Sequence, residues 1–225
     1  MARHPVIEGM LRALSLAPGI IPLGMVFGAA ASAAGMGAAG ATLLSALVFA
    51  GGAQFASLAY LGAPYVAIGL VAIVNSRYFL LSAAALDLAR RAGATRAQRV
   101  LIALGVVDES YALQAAWARE TIPSIVGLLA VPFTFWTMWV GGTLAGALIG
   151  DRLPSLVPFG LDYALPGIFV GLLGIFADTR ARLVAGLVAL ALGGALALAG
   201  FGTIAVLLVP PALAFALGRW GPAQR

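Results

Sequence analysis

The chain has 225 residues, 62% of them hydrophobic and 9% charged, with a net charge of +5. Its mean hydropathy of +1.05 excludes an ordinary soluble domain, in which roughly a quarter of the residues are charged. With no cysteine and a single histidine, His4, disulfides, thiol catalysis and a Cys/His metal site are excluded as well, and no metal or cofactor is expected.

The apolar runs are continuous rather than alternating, so they predict spanning helices and not barrel strands. The expected fold is an all-α, polytopic membrane bundle in one transporter domain, residues 1–225, with about six to eight membrane segments, some broken or re-entrant. All the basic residues are arginines and they cluster between apolar runs. In a membrane protein such clusters are an orientation signal, and no nucleic-acid partner is expected.

Residues 1–14 predict an amphipathic helix on the bilayer surface, with Val6, Ile7, Met10, Leu11 and Leu14 on its apolar side. The start resembles a secretory signal, but Pro18 and Pro22 suit a kinked spanning helix over Ser15–Gly37 better than a signal core. Gly24 and Gly28 form a small-residue step for close helix packing. In Thr42–Leu61 the paired Gly51 and Gly52 precede Gln54 and predict a helix break, and Gly62-Ala63-Pro64 predicts a turn.

Tyr65–Leu86 is apolar until Asn75-Ser76-Arg77-Tyr78, where Asn75, Tyr78 and Ser82 share one helical face. Arg77 lies about 15 Å along a helix from the polar loop that follows, too far for easy snorkelling. That loop, Asp87–Arg99, carries Arg90, Arg91, Arg96 and Arg99. It predicts the cytoplasmic side, although the arginines of the amino terminus conflict with it in parity.

The run Val100–Trp117 contains Asp108-Glu109-Ser110-Tyr111. Each charge within a membrane helix costs roughly 2.5 to 3.5 kcal/mol, so a partner or a cavity must offset it. On one helix Asp108, Ser110, Tyr111 and Gln114 share an arc while Glu109 points elsewhere, which predicts different jobs for the two acids. The bland alternative is an interfacial helix whose acids are hydrated.

Ile122–Ile149 follows, with Pro132, the aromatics Phe133, Phe135, Trp136 and Trp139, which read as an interfacial belt or as packing, and a second glycine step at Gly142, Gly146 and Gly150. Leu156–Phe176 carries Asp162 before Pro166, a third acid beside an expected helix break. Leu183–Leu217 is interrupted at Gly200-Phe201-Gly202 and predicts two short helices. Pro18-Gly19-Ile20 and Pro166-Gly167-Ile168 suggest two halves related as an inverted repeat.

Four motifs in order, Phe49-Ala-Gly-Gly-Ala-Gln54-Phe55, Asn75-Ser-Arg77-Tyr78, Asp108-Glu109-Ser-Tyr111-Ala-Leu113 and Leu161-Asp162-Tyr163-Ala-Leu-Pro166, resemble the AzlC/YgaZ family of branched-chain amino-acid exporters. The resemblance runs over about Ser15–Phe176. It implies a multi-pass bacterial inner-membrane protein, the large subunit of a two-part exporter of leucine, isoleucine and valine. It also implies a small hydrophobic partner resembling AzlD/YgaH, and the two glycine steps want another helix against them, from such a partner, from within this chain or from a second copy of it.

For the substrate the expected contacts are Gln54, Asn75, Arg77, Tyr78, Asp108, Tyr111 and Asp162, with Asp108 or Glu109 carrying a coupling proton and helix breaks at Pro22, Gly51, Gly52 and Pro166. Each has a structural alternative: Arg77 as counter-ion for Asp108 or Asp162, Asp162 as a helix cap, and Gln54 or Asn75 as interhelical glue. An intramembrane enzyme using paired carboxylates is the rival reading. No H-E-x-x-H or G-x-S-x-G pattern supports it.

Overall fold

The computed structural model describes residues 4–149 and 180–200. The chain falls into two compact units, residues 1–168 and 169–225. In the first, the helices are α1 (Pro5–Leu14), α2 (Ala17–Ala33), α3 (Gly37–Val48), α4 (Gly51–Leu58), α5 (Pro64–Asn75), α6 (Arg77–Arg91), α7 (Arg96–Leu104), α8 (Asp108–Glu120) and α9 (Ile125–Ile149). In the second unit, α10 spans Arg180–Leu198. Every regular element among the described residues is helical, as the composition requires.

Two helices among the described residues are long and apolar enough to cross a bilayer. One is α5 and α6 taken together, Pro64–Arg91, and the other is α9. The pair α1 and α2, bent by 63°, makes a third if counted as one span. Among the described residues, breaks cut several apolar runs into pieces shorter than the about 20 residues that one unbroken crossing needs.

The first unit is assembled around α9, against which α1, α2, α3, α7 and α8 all pack. The closest approach is with α2. A Cβ on Gly24 would lie 2.9 Å from the Trp139 carbonyl, one on Gly142 2.7 Å from the Ile21 carbonyl, and those on Gly28 and Gly146 would run into the carbonyls of Thr143 and Met25. Gly24 and Gly28 therefore face Gly142 and Gly146 within this chain, one of the arrangements that such glycine steps suggest. Lipid tails offer no hydrophobic gain for helix association, so backbone approach and dispersion set the contact, and glycine permits both. Phe27 completes it, fully buried, edge-on to Phe55 at 5.3 Å and stacked on Trp139 at 6.3 Å.

Helix α1 inverts the simplest amphipathic picture. Its small residues Gly9 and Ala13 are buried, while Ile7, Met10, Leu11 and Leu14 are exposed. Gly9 sits against the Gly127 carbonyl of α9. The apolar side thus faces away from the protein, where lipid would lie.

Chain breaks depart from the expected positions for identifiable reasons. Helix α2 runs through Pro22, and the sharp bend comes earlier, at Ser15 and Leu16. The second run breaks at Phe49 and Ala50, one step before Gly51 and Gly52, which are the first residues of α4. Phe49 ends α3 in the left-handed region with φ 41°. The Asp87–Arg99 segment is largely helical, since α6 reaches Arg91 and α7 starts at Arg96. Thr95 and Gln98 exchange side-chain and backbone hydrogen bonds in a capping box that begins α7 so soon.

The Val100–Trp117 run is not one helix: it breaks at Gly105-Val106-Val107. A Cβ at Gly105 would lie 2.6 Å from the Pro132 ring, so only glycine lets the break pass this close to α9. Pro132 has no N–H to give the Leu128 carbonyl one turn back, and Gln114 of α8 supplies the missing donor at 2.8 Å. That bond fixes α8 to α9.

Candidate functional site

Arg77 is the first residue of α6, directly after the short interruption at Ser76. Asp108 is the first residue of α8, directly after the break that Gly105 permits. The two breaks bring them together: Arg77 Nη2 lies 2.7 Å from Asp108 Oδ2. The same nitrogen donates to the Tyr78 hydroxyl at 3.3 Å, and the guanidinium lies 5.1 Å from the Tyr78 ring centroid. The Asp108 side chain is 17% exposed and that of Arg77 38%. The pair is thus sheltered and still reachable.

Ser110 shapes the approach of Asp108. Its hydroxyl accepts the Val107 N–H at 2.9 Å and lies 3.1 Å from the carbonyls of Gly105 and Val107, holding the first turn of α8 in place. Glu109 is half-buried beside Asp108, and every ion pair within 4 Å among the described residues leaves it out. Asp108 faces an arginine instead of a second carboxylate, an arrangement unlike the proton-sharing pair of an aspartyl enzyme. Asn75, two residues before Arg77, has its side-chain oxygen buried without a donor. Tyr111 packs against the buried cluster of Ala85, Ala89, Ile102, Val106 and Leu128.

Gln54 lies elsewhere. It is fully buried, and its Nε2 donates to Ser45 at 2.8 Å while its Oε1 accepts from Trp139 Nε1 at 2.9 Å and from the Ala50 N–H at 3.2 Å. Ser45 in turn lies 2.7 Å from the Thr143 hydroxyl. This network ties α3, α4 and α9 across the break at Phe49, the interhelical role that an amide in an apolar run also suggests. Its partners Ser45, Trp139 and Thr143 were not legible as such, although the spacing of Trp139 among the aromatics placed it on α9. Asp162 and Pro166 lie outside the described residues.

At the far end of α8, Arg12 of α1 reaches Glu120 through both terminal nitrogens, at 3.2 and 2.6 Å, and bonds Glu8 at 3.2 Å. Its guanidinium also lies 4.8 Å from the Trp117 ring centroid. The hydrogen bond to Arg12 lowers the Glu120 carboxyl below its ordinary range, and the reciprocal contact raises Arg12. Helix α8 is therefore held at both ends by arginines from other helices.

Residues 15–153, more than half of the chain, match the AzlC protein family. The chain belongs to that family. Among relatives of this AzlC-family chain, the inner membrane protein YgaZ of Escherichia coli is 26% identical over 181 residues, covering 74% of this chain and 71% of the relative. An uncharacterized membrane protein of Helicobacter pylori is 25% identical over 161 residues, covering 70% and 69%. No solved structure matches the chain at a significant level. The matched region of this AzlC-family chain contains Gln54, Asn75, Arg77 and the acidic pair Asp108 and Glu109.

Proposed function

We propose that this membrane protein is the large subunit of a secondary transporter that exports branched-chain amino acids across the bacterial inner membrane, driven by the proton gradient. The observation that carries the reading is the Arg77–Asp108 pair, set at two helix interruptions and partly open. Interrupted helices with sheltered charges are the usual construction of a transport site. Arg77 presents the planar two-pronged donor that suits a carboxylate. A proton on Asp108 cancels its claim on Arg77 and frees the guanidinium for the substrate carboxylate. Deprotonation restores the internal pair and expels the substrate, with Glu109 placed to pass the proton on.

The family resemblance supports a small hydrophobic AzlD/YgaH-like partner. The glycine steps give no support to it, being filled by α2 and α9. The deciding measurement is counterflow of labelled leucine in proteoliposomes holding this chain with and without the small subunit. Exchange accelerated by an imposed pH gradient is the expected result. Absence of counterflow for leucine, isoleucine and valine under both conditions would overturn the reading.

A further inference from the structure

A groove of about 920 Å³ runs along α9 and is walled by the ends of α3 and α7. No acidic or basic side chain lines it. Of its lining residues Leu47, Leu104 and Phe133 are largely exposed, so the groove is open to the bilayer and not enclosed. Its α9 wall extends from Val126 to Trp136, a rise of about 15 Å. That is half of a hydrocarbon core of roughly 30 Å, the depth of one leaflet.

The two ends of the groove differ. Trp136 is the last α9 residue along it, and its indole N–H donates to the Ala46 carbonyl at 3.1 Å, joining α9 to α3 there. At the other end α7 leads out toward the start of α9. Gly105 meets the Pro132 ring, and Ile102 belongs to a buried cluster that draws from α9 only Leu128 and Leu129, both earlier than Pro132. The two helices therefore run in the same direction. One and two turns before the lining residue Ala103 stand Arg99 and Arg96, within about 40° and 20° of it around the helix axis. Helical side chains lean toward the N-terminus, which aims both guanidinium groups past the apolar lining toward the membrane surface. Neither arginine enters any ion pair within 4 Å among the described residues, and α7 itself carries no acid.

We propose that the groove holds one acyl chain of an anionic phospholipid, with Arg96 and Arg99 on its phosphate headgroup. An acyl chain gains no hydrophobic free energy by leaving other lipid for the groove. Packing against three helices instead of one convex face adds dispersion, and the charge at the mouth makes the choice among lipids. Arginine forks match phosphate oxygens, and basic clusters at a segment end attract anionic headgroups. The length of the groove argues against a spanning helix as its occupant. Such a helix is about 30 Å long, so half of it would lie off the groove, and an apolar one would leave both arginines without a counter-charge. Tyr78, whose hydroxyl accepts from Arg77, also lines the groove, so the bound chain touches the edge of the candidate site. Neither the groove nor its arginines depend on the exporter reading.

The test is fluorescence quenching in the full-length chain, reconstituted in dioleoylphosphatidylcholine vesicles that contain rising fractions of a phospholipid brominated in mid-chain. Bromine quenches on contact and Trp136 stands in the groove wall, so the signal read is the part that Trp136→Phe removes. Brominated phosphatidylglycerol is expected to quench that part saturably, at a fraction about tenfold or more below that needed with brominated phosphatidylcholine, the preference that two arginines near a headgroup supply. Unbrominated phosphatidylglycerol should compete. Arg96→Gln combined with Arg99→Gln should bring the two lipids level, and Ala103→Phe, which fills the groove, should remove the saturable quenching. Should either variant fail to fold, the wild-type comparison of the two headgroups decides alone. Equal quenching by both lipids in the wild type would mark the groove as ordinary lipid-facing surface and overturn the proposal. A preference unchanged without the two arginines would overturn it as well. Quenching that falls as the protein-to-lipid ratio rises, or on addition of the small hydrophobic subunit, would give the groove to a protein helix and do the same.

Discussion

Gln54 and Arg77 face the same difficulty, a polar group in an apolar helical protein, and the structure answers it in two ways. Around Gln54 each costly atom has a protein partner: Ser45, Trp139 and the Ala50 N–H close the network, and the amide is fully buried. Around Arg77 the ion pair with Asp108 remains partly exposed, and the neighbouring Asn75 keeps a buried oxygen without a donor. A closed network contributes rigidity and has no capacity left for a ligand. A sheltered but accessible charged pair can exchange one partner for another at a modest difference in free energy, which a transported solute requires.

The largest effect that would break this contrast is at the ion pair. Arg77→Ala is expected to lower transport by about a hundredfold or more, since it leaves Asp108 sheltered without its partner. Arg77→Lys should recover little of that if a carboxylate is held by the planar fork, and most of it if only charge matters. Uptake assays in proteoliposomes, with protein content matched, separate the two. Asp108→Asn should abolish the pH dependence of transport while Glu109→Gln mainly lowers its level; identical profiles would remove the division of labour.

Next in size is the α2 and α9 contact. Gly28→Val drives a side chain into the Thr143 carbonyl, and should destabilise the fold by about 3 kcal/mol or more. Chemical unfolding in detergent measures it, and a wild-type midpoint would show that the helices separate freely. Gln54→Leu should cost about 2 to 3 kcal/mol, because the Trp139 and Ala50 N–H groups and the Ser45 hydroxyl lose a partner. Its transport, normalised to folded protein, should stay near wild type. Selective loss of transport at unchanged stability would move Gln54 from the network to the site.

The smallest effect concerns the clamp at the other end of α8. Glu120 has its carboxyl lowered by the hydrogen bond to Arg12, so the stability it contributes is complete above its ordinary value of 4.5 and is lost as the pH falls through the lower folded value. The carboxylate is well exposed, and salt should weaken the contact. Glu120→Gln is expected to be slightly less stable than wild type at neutral pH, and the two should converge in acid, below about pH 4. A difference that persists unchanged in acid, or that appears only there, would contradict it.

Composition alone determined that the described chain is helical and apolar, and the expense of a charge in lipid marked out Asn75, Arg77, Asp108 and Glu109, because both follow from counting residues against a bilayer. Where the helices break was visible only in outline. Gly51 and Gly52 marked a break that Phe49 and Ala50 make, and nothing local announced that Gly105 ends α7, since that depends on the Pro132 ring of another helix. Which polar groups meet was decided entirely by tertiary structure. Arg77 and Asp108 are thirty-one positions apart in the chain, and Gln54 finds Trp139 across eighty-five. Periodicity places residues on a face of one helix, but it carries no information on which face of which other helix will be opposite. For the same reason Gly24 and Gly28 announced close packing without naming α9 as the helix that would fill them.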